Sequence, residues 1–175
     1  MKNYFIQFND LSLESIDLYD YEEGISNSIP NMLLRNIQES VNPGSNIYIM
    51  IPSALFGFKK FDNSFGLKDE VLKANILSEH EDQLVSDIST LKFFFHPELN
   101  LASWINHAVF NKIVESVDNL DGNIYIFPEH FLIHEAKNVL HVKNDSFSCS
   151  FSDFSCFSGP NHSLSYYLEI LHKDN

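Results

Sequence analysis

The 175-residue chain is 44% hydrophobic, with 16 Phe and 7 Tyr against only 6 Gly and 6 Pro. That composition supports a buried core and excludes a low-complexity or disordered design. Its 24 acidic and 11 basic side chains give a formal net charge of −13, which opposes a phosphate backbone and excludes nucleic acid as a partner.

The amino terminus, MKNYFIQFND, lacks the apolar run and small-residue cleavage site of a signal peptide, and no stretch has the apolar length needed to cross a bilayer. A soluble cytoplasmic chain is expected, whole or as the soluble part of a longer membrane protein. Asn3 to Asn9 alternates polar and apolar residues, and Ser15 to Tyr19 sets Ile16 and Leu18 on one face, so an opening strand pair is expected. Ser28 and Pro30 carry cap and first-turn chemistry, and Met32, Leu33, Leu34, Ile37 and Val41 follow at helical spacing up to Pro43 and Gly44, which predicts a helix. The run NIYIMI at 46–51 reads as a buried strand, and Ala54 to Phe61 as a second strand after a kink at Pro52.

From Lys68 to about Thr90, Val71, Leu72, Ile76, Leu84, Val85 and Ile88 predict one long helix, or two broken near Leu77 and Ser78. Leu91 to Phe95 reads as a strand, Leu99 to Ile105 as a strand, Val109 to Val117 as a helix and Asn123 to Phe127 as a strand. Strands at Val139 to Val142 and Ser146 to Phe151 follow, then Gly159, Pro160 and a last helix capped at Asn161 or Ser163. Its apolar face is expected at Leu164, Tyr167, Leu168 and Leu171. The alternation is that of an α/β protein of two lobes, residues 1–96 and a smaller 97–175 ending in the helix. NIYIMIP (46–52) echoes NIYIFP (123–128), either through shared strand composition or through a duplicated lobe.

The chemical motifs are few. There is no GxSxG, and glycines 24, 44, 57, 66, 122 and 159 never form GxxxxGK or GxGxxG, so the chain lacks a sequence-level phosphate cradle. His130 and His134, flanked by Glu129 and Glu135, have helical metal-ligand spacing. They follow a strand end, however, where i and i+4 stand about 13 Å apart, and surface or half-buried histidines are expected. Glu79, His80, Glu81 and Asp82 could pair a carboxylate with an imidazole, but four adjacent polar residues on a helix read as a solvated face or a partner contact. Cys149 and Cys156 lack CxxC spacing and read as free thiols in a reducing compartment, with a hairpin disulfide as the alternative. Asp10, Glu14, Asp17, Asp20, Glu22 and Glu23 crowd a stretch without Lys or Arg, a solvated face or a docking surface for a basic partner.

LSEHEDQLVSDISTLKFFF (77–95) resembles a stretch of protein L of the type II secretion system, in which a Glu-rich helix precedes a short strand; Glu81, Asp82, Gln83, Leu84, Asp87 and Leu91 fit in register. IPSALFGFKKFDN (51–63), LASWINHAVFNKIVESV (101–117) and NIYIFPEHFLI (123–133) are similar to its flanking units in order and spacing. Leu77 and Phe110 depart from residues usual in that family, and beyond residue 135 only the general pattern is shared.

The resemblance implies a degenerate actin-like (RNase H-like) fold with mixed sheets, no cofactor and no enzymatic activity. It further implies a cytoplasmic adaptor at the bacterial inner membrane that recruits the amino-terminal domain of the secretion ATPase, beside other platform proteins and a homodimer partner. Candidate contacts are Glu79, Glu81, Asp82 and Asp87 on the acidic helix and Asp17, Asp20, Glu22 and Glu23 on the opening hairpin. The competing readings are an active actin-like nucleotide-binding enzyme and an unrelated α/β interaction domain.

Overall fold

A computed structural model describes residues 2–22, 25–61, 68–80, 87–132, 139–151 and 156–173. The chain opens with β1 (Asn3–Phe8), β2 (Ser15–Glu22) and β3 (Ile25–Leu33), each antiparallel to the one before. In β1 the side chains alternate between half-buried and buried, as the sequence alternation requires of a strand with one face on a core. β4 (Ser45–Ile51) then returns beside β1 in parallel. β5 (Phe56–Lys60), α1 (Asp69–His80), β6 (Leu91–His96), β7 (Leu101–Asn106) and α2 (His107–Val117) follow, and β8 (Gly122–Pro128) pairs in parallel with β4. The chain continues through β9 (Val139–Val142), β10 (Ser146–Ser150) and β11 (Cys156–Pro160) to α3 (Leu164–Lys173).

Among the described residues, a mixed sheet of order β3-β2-β1-β4-β8 forms the main layer, with antiparallel sheets β5-β7-β6 and β11-β10-β9 beside it. The core lies on one face of the main sheet, where Ile6, Phe8, Ile16, Leu18, Ile47, Ile49 and Ile51 are almost fully buried. α2 covers that face with Ile113 and Val117, and Asn106 caps it by accepting from Ala108 N at 2.9 Å. Ile105, Phe56 and Phe94 from the second sheet join the same cluster. The lobe division expected at 96/97 falls in the connection between β6 and β7, which pair with each other, while β8 completes the sheet that β1 begins. No helix among the described residues is long and apolar enough to cross a membrane.

The helix expected after Ser28 does not form. That stretch is strand through Leu33, followed by a 3-10 turn at Leu34–Glu39. β2 offers β3 hydrogen-bond partners from Ser15 to Glu22, and a bulge between Ile16 and Leu18 absorbs the irregularity around Pro30. Pro30 is tolerated because β3 is a sheet edge. The spacing of Leu34 and Ile37 is real, and both are buried, but i and i+3 also share a side of a 3-10 turn.

Smaller differences have similar causes. Ser53–Leu55 is a 3-10 turn, so the strand expected from Ala54 begins at Phe56. α1 runs unbroken past Leu77 and Ser78 to His80, and Asp87 caps a separate turn at Ile88–Thr90. β11 was not expected, because Ser- and Gly-containing CFSGP shows no alternation. Asn161–Ser163 is a 3-10 turn, and the Ser163 hydroxyl donates to Pro160 O instead of capping α3. On α3, Tyr167 packs against Phe147 and Phe157, whereas Leu168, expected inward, is exposed.

Candidate functional site

The parallel strands β4 and β8 end side by side, at Ile51 and Pro128, and Pro52 and Pro128 turn both chains off the sheet. The turns that follow enclose Ser53, Glu129 and His130, which are 0%, 5% and 1% exposed. Buried polar groups need partners, and these three find them in one another and in the carboxyl-terminal sheet. Glu129 accepts from Ser53 N at 3.2 Å, and its other carboxylate oxygen meets the Lys143 ammonium. Lys143, just past β9, also donates to the Phe8 carbonyl at 2.7 Å. His141 Nδ1 lies 4.0 Å from Glu129, and Ser158 on β11 donates to Ser53 O at 3.3 Å. One ion pair therefore joins the ends of β1, β4 and β8 to the β9-β10-β11 sheet.

Ser53 Oγ is 2.8 Å from His130 Nδ1, a contact that in an open site would suit a serine nucleophile and its base. Here the hydroxyl oxygen also accepts from the His130 backbone at 3.3 Å, and Phe58 and Phe131 set their rings edge-to-face against the imidazole. With Ser53 and His130 both enclosed, the pair has no access to substrate. The sequence placed His130 at the surface or half-buried, and the fold buries it. His134 and Glu135, its expected companions, lie outside the described residues.

The cysteines are free. Cys149 pairs with Phe157 and Ser150 with Cys156, so the pleat sends the two thiols to opposite faces of the hairpin. Burial raises the Cys149 thiol and pushes Cys156 up to about 12, so neither is a ready thiolate nucleophile.

The turn between β1 and β2 approaches the turn between β9 and β10. Its amides are occupied by carboxylates, Leu11 N by Asp145 at 3.0 Å and Ser12 N by Asp10 at 2.9 Å. Beside them lies a polar groove of about 230 Å³ with Asn9, Asp17, Asn31, His141 and Lys143 on its walls.

Among the described residues, the acids singled out in the sequence do not gather into one site. Asp17 Oδ1 accepts from Asn31 N at 2.9 Å and from Asn9 Nδ2 at 3.0 Å, holding the β2–β3 bulge. Lys2, brought across by the hairpin, pairs with Asp20 and Glu22 at 3.1 Å each, and the two carboxylates raise the Lys2 ammonium above its ordinary value. Asp87 accepts from Ser89 N and Ser89 Oγ, both at 2.9 Å, which lowers its carboxyl below the usual range. Glu79 ends α1 next to His80; its side chain, and all of Glu23, Glu81 and Asp82, lie outside the described residues. The buried Glu129–Lys143 pair escaped the sequence reading because its members are joined only by tertiary packing. The lone available signal was a carboxylate directly after the Pro that ends an apolar strand.

No protein-family model matches the chain, and no curated protein does. Solved structures do, and what they show is the fold alone, an α/β fold of the actin-like type. A Bacteroides thetaiotaomicron protein described as having an actin-like ATPase fold and unknown function matches with a TM-score of 0.58 and 13% identity, over 99% of this chain and 76% of that one. The cytoplasmic domain of EpsL, an inner membrane component of the type II secretion system of Vibrio cholerae, matches with a TM-score of 0.66 and 10% identity, over 95% of this chain and 74% of that one. At such identity the likeness is one of fold, and it is the fold that the sequence resemblance implied.

Proposed function

We propose that this chain is a non-enzymatic adaptor of a type II secretion inner-membrane platform, acting on the cytoplasmic side of a bacterial inner membrane and recruiting the secretion ATPase through its amino-terminal domain. The observation that carries the reading is the fold shared with the EpsL cytoplasmic domain over 95% of the chain. Two local features support it. The β1–β2 turn amides, which a phosphate would need, already hold Asp10 and Asp145, and the Ser53–His130 contact is sealed from substrate. An adaptor works by surface complementarity, and the proposed contacts for a basic partner are Glu22 on the hairpin, whose side chain is 59% exposed beside Lys2, and the acids Glu79, Glu81 and Asp82 of the sequence.

The test is a pull-down of the full chain with the amino-terminal domain of the secretion ATPase from the same organism. Saturable binding at micromolar concentration is expected, weakened by charge reversal at Glu79, Glu81 and Asp82 or at Glu22. No binding in that range sinks the proposal. A melting temperature raised by several degrees with millimolar ATP and magnesium would point instead to a working nucleotide site.

A further inference from the structure

Arg35 is the one arginine of a chain with 24 acidic side chains, yet among the described residues no carboxylate pairs with it. Other cations are engaged inside the fold. Lys2 pairs with Asp20 and Glu22, Lys143 with Glu129, and Lys73 and Lys92 lie over aromatic rings. Arg35 is exposed on the wall of a second groove, about 330 Å³, between the β1–β2 turn, the 3-10 turn after β3, and α2. Lys112 on α2 is a second exposed cation of that groove. Leu13 and Leu34, each 4% exposed, line it from the core side, and Leu33 lies open to solvent. Glu14 is the one acid lining it among the described residues.

The groove is held in shape by the chain itself. Leu13 sits at φ 62, a left-handed conformation that a bulky side chain rarely adopts. Two bonds fix the backbone on either side of it: Leu34 N donates to Glu14 O at 2.8 Å, and Lys112 Nζ donates to Ser12 O at 3.0 Å. A surface ordered in advance loses less freedom when a ligand settles on it.

We propose that this groove docks a short acidic segment of a partner protein, with a leucine-like side chain on Leu13, Leu33 and Leu34 and a neighbouring Asp or Glu held by Arg35 and Lys112. The guanidinium fork matches a carboxylate with two parallel hydrogen bonds. The leucines reward an aliphatic side chain and offer nothing to a bare phosphate. An anionic membrane is a poorer match, because a broad charged plane also meets the acids of a molecule with net charge −13. A single segment meets only the groove, since exposed charges beyond about 8 Å are screened at physiological salt. Glu14 repels a carboxylate on its own side, which sets the direction of the segment. This surface has the opposite preference to the acidic contacts of the adaptor reading and does not rest on it.

Fluorescence anisotropy of the full chain with a labelled peptide alternating leucine and glutamate tests this. Saturable binding is expected with a dissociation constant on the order of 100 μM, weakened several-fold between about 50 and 500 mM salt. Peptides alternating serine with glutamate, or leucine with lysine, are expected not to bind. Arg35→Glu is expected to weaken binding about tenfold with unchanged circular dichroism and melting temperature, since the side chain is exposed and unpaired. Should that variant fail to fold, Leu33→Asp, at another exposed position, is expected to give the same loss. Three results would overturn the proposal: no saturation by the leucine–glutamate peptide at millimolar concentration, equal binding of either control peptide, or an affinity unchanged by Arg35→Glu. Capture of phosphatidylglycerol vesicles that is lost in Arg35→Glu, without peptide binding, would assign the groove to a membrane and overturn the segment. The pull-down with the ATPase domain is a separate outcome, so failure of the peptide leaves the adaptor reading standing, and failure of the pull-down leaves the groove.

Discussion

Lys143→Met tests whether the buried ion pair ties the carboxyl-terminal sheet to the main sheet. Lys143 and Glu129 are 8% and 5% exposed, and the ammonium is shared between the Glu129 carboxylate and the Phe8 carbonyl. Removing it leaves a buried carboxylate with the Ser53 amide at 3.2 Å as its close donor, and strips Phe8 O of the lysine. A buried ion left without its partner costs about 3–5 kcal/mol. For a chain of this size that is a fall in melting temperature of about 6–20 °C. Glu129→Gln with Lys143→Met removes both charges, so the double variant is expected to be more stable than Lys143→Met alone. Calorimetry and urea unfolding of Lys143→Met, Glu129→Gln and the double variant give the comparison. A loss below about 1 kcal/mol for Lys143→Met, or a double variant as unstable as the sum of the singles, would show that the charges are solvated and uncoupled.

Asp17→Ala removes the acceptor of the Asn31 and Asn9 hydrogen bonds and is expected to cost about 1–3 kcal/mol in urea unfolding; an unchanged midpoint would return Asp17 to the free surface acids. Gly57→Ala puts a Cβ within the Trp104 ring, the one tryptophan of the chain, so a red-shifted emission and a loss of about 1–3 kcal/mol are expected, and unaltered fluorescence would refute that packing. With its thiol pushed up to about 12, Cys156 should resist iodoacetamide in the native state at pH 8 and react only after denaturation; fast native labelling would show the thiol open. Burial lowers the His96 pKa, so the unfolded chain takes up that proton more readily, and stability present above the ordinary value of 6.5 is lost as pH falls through it. His96→Gln should flatten this part of the stability–pH curve, and an equally steep curve would place the dependence elsewhere.

What could be read from the sequence follows from how local each signal is. The opening hairpin, β4, β6, β8 and α2 announce themselves through period and residue type, and each lies close to its expected range. β3 was misread because Leu34 and Ile37 satisfy a helix and a 3-10 turn alike, while the contact that decides for a strand, Asp17 to the Asn31 amide, spans 14 residues. The Glu129–Lys143 pair was invisible for the same reason, since no local pattern marks a carboxylate for burial. The acidic hairpin looked like an unpaired charge cluster because Lys2 lies far along the chain from Asp20 and Glu22. Antiparallel folding puts the ammonium beside both.

The NIYI echo has a structural use that neither strand composition nor a duplicated lobe accounts for. Its two copies lie in one sheet as parallel neighbours, with Asn46 opposite Asn123, Ile47 opposite Ile124, Tyr48 opposite Tyr125 and Ile49 opposite Ile126. Parallel strands have no tight turn to fix their register, and Asn46 and Asn123 are separated by 77 positions. The matched pairs supply that information. Asn123 donates to Asn46 at 3.1 Å and Asn46 to Asn3 at 3.0 Å, while the tyrosines stack and the isoleucines share the core side. A slip of two residues would keep the faces but set Asn against Tyr, losing both the amide ladder and the stack. The same ladder ends on Asn123 and Tyr125, in a strand without charge or internal proline, so the residues that fix β8 against β4 are polar and aromatic throughout its outer face.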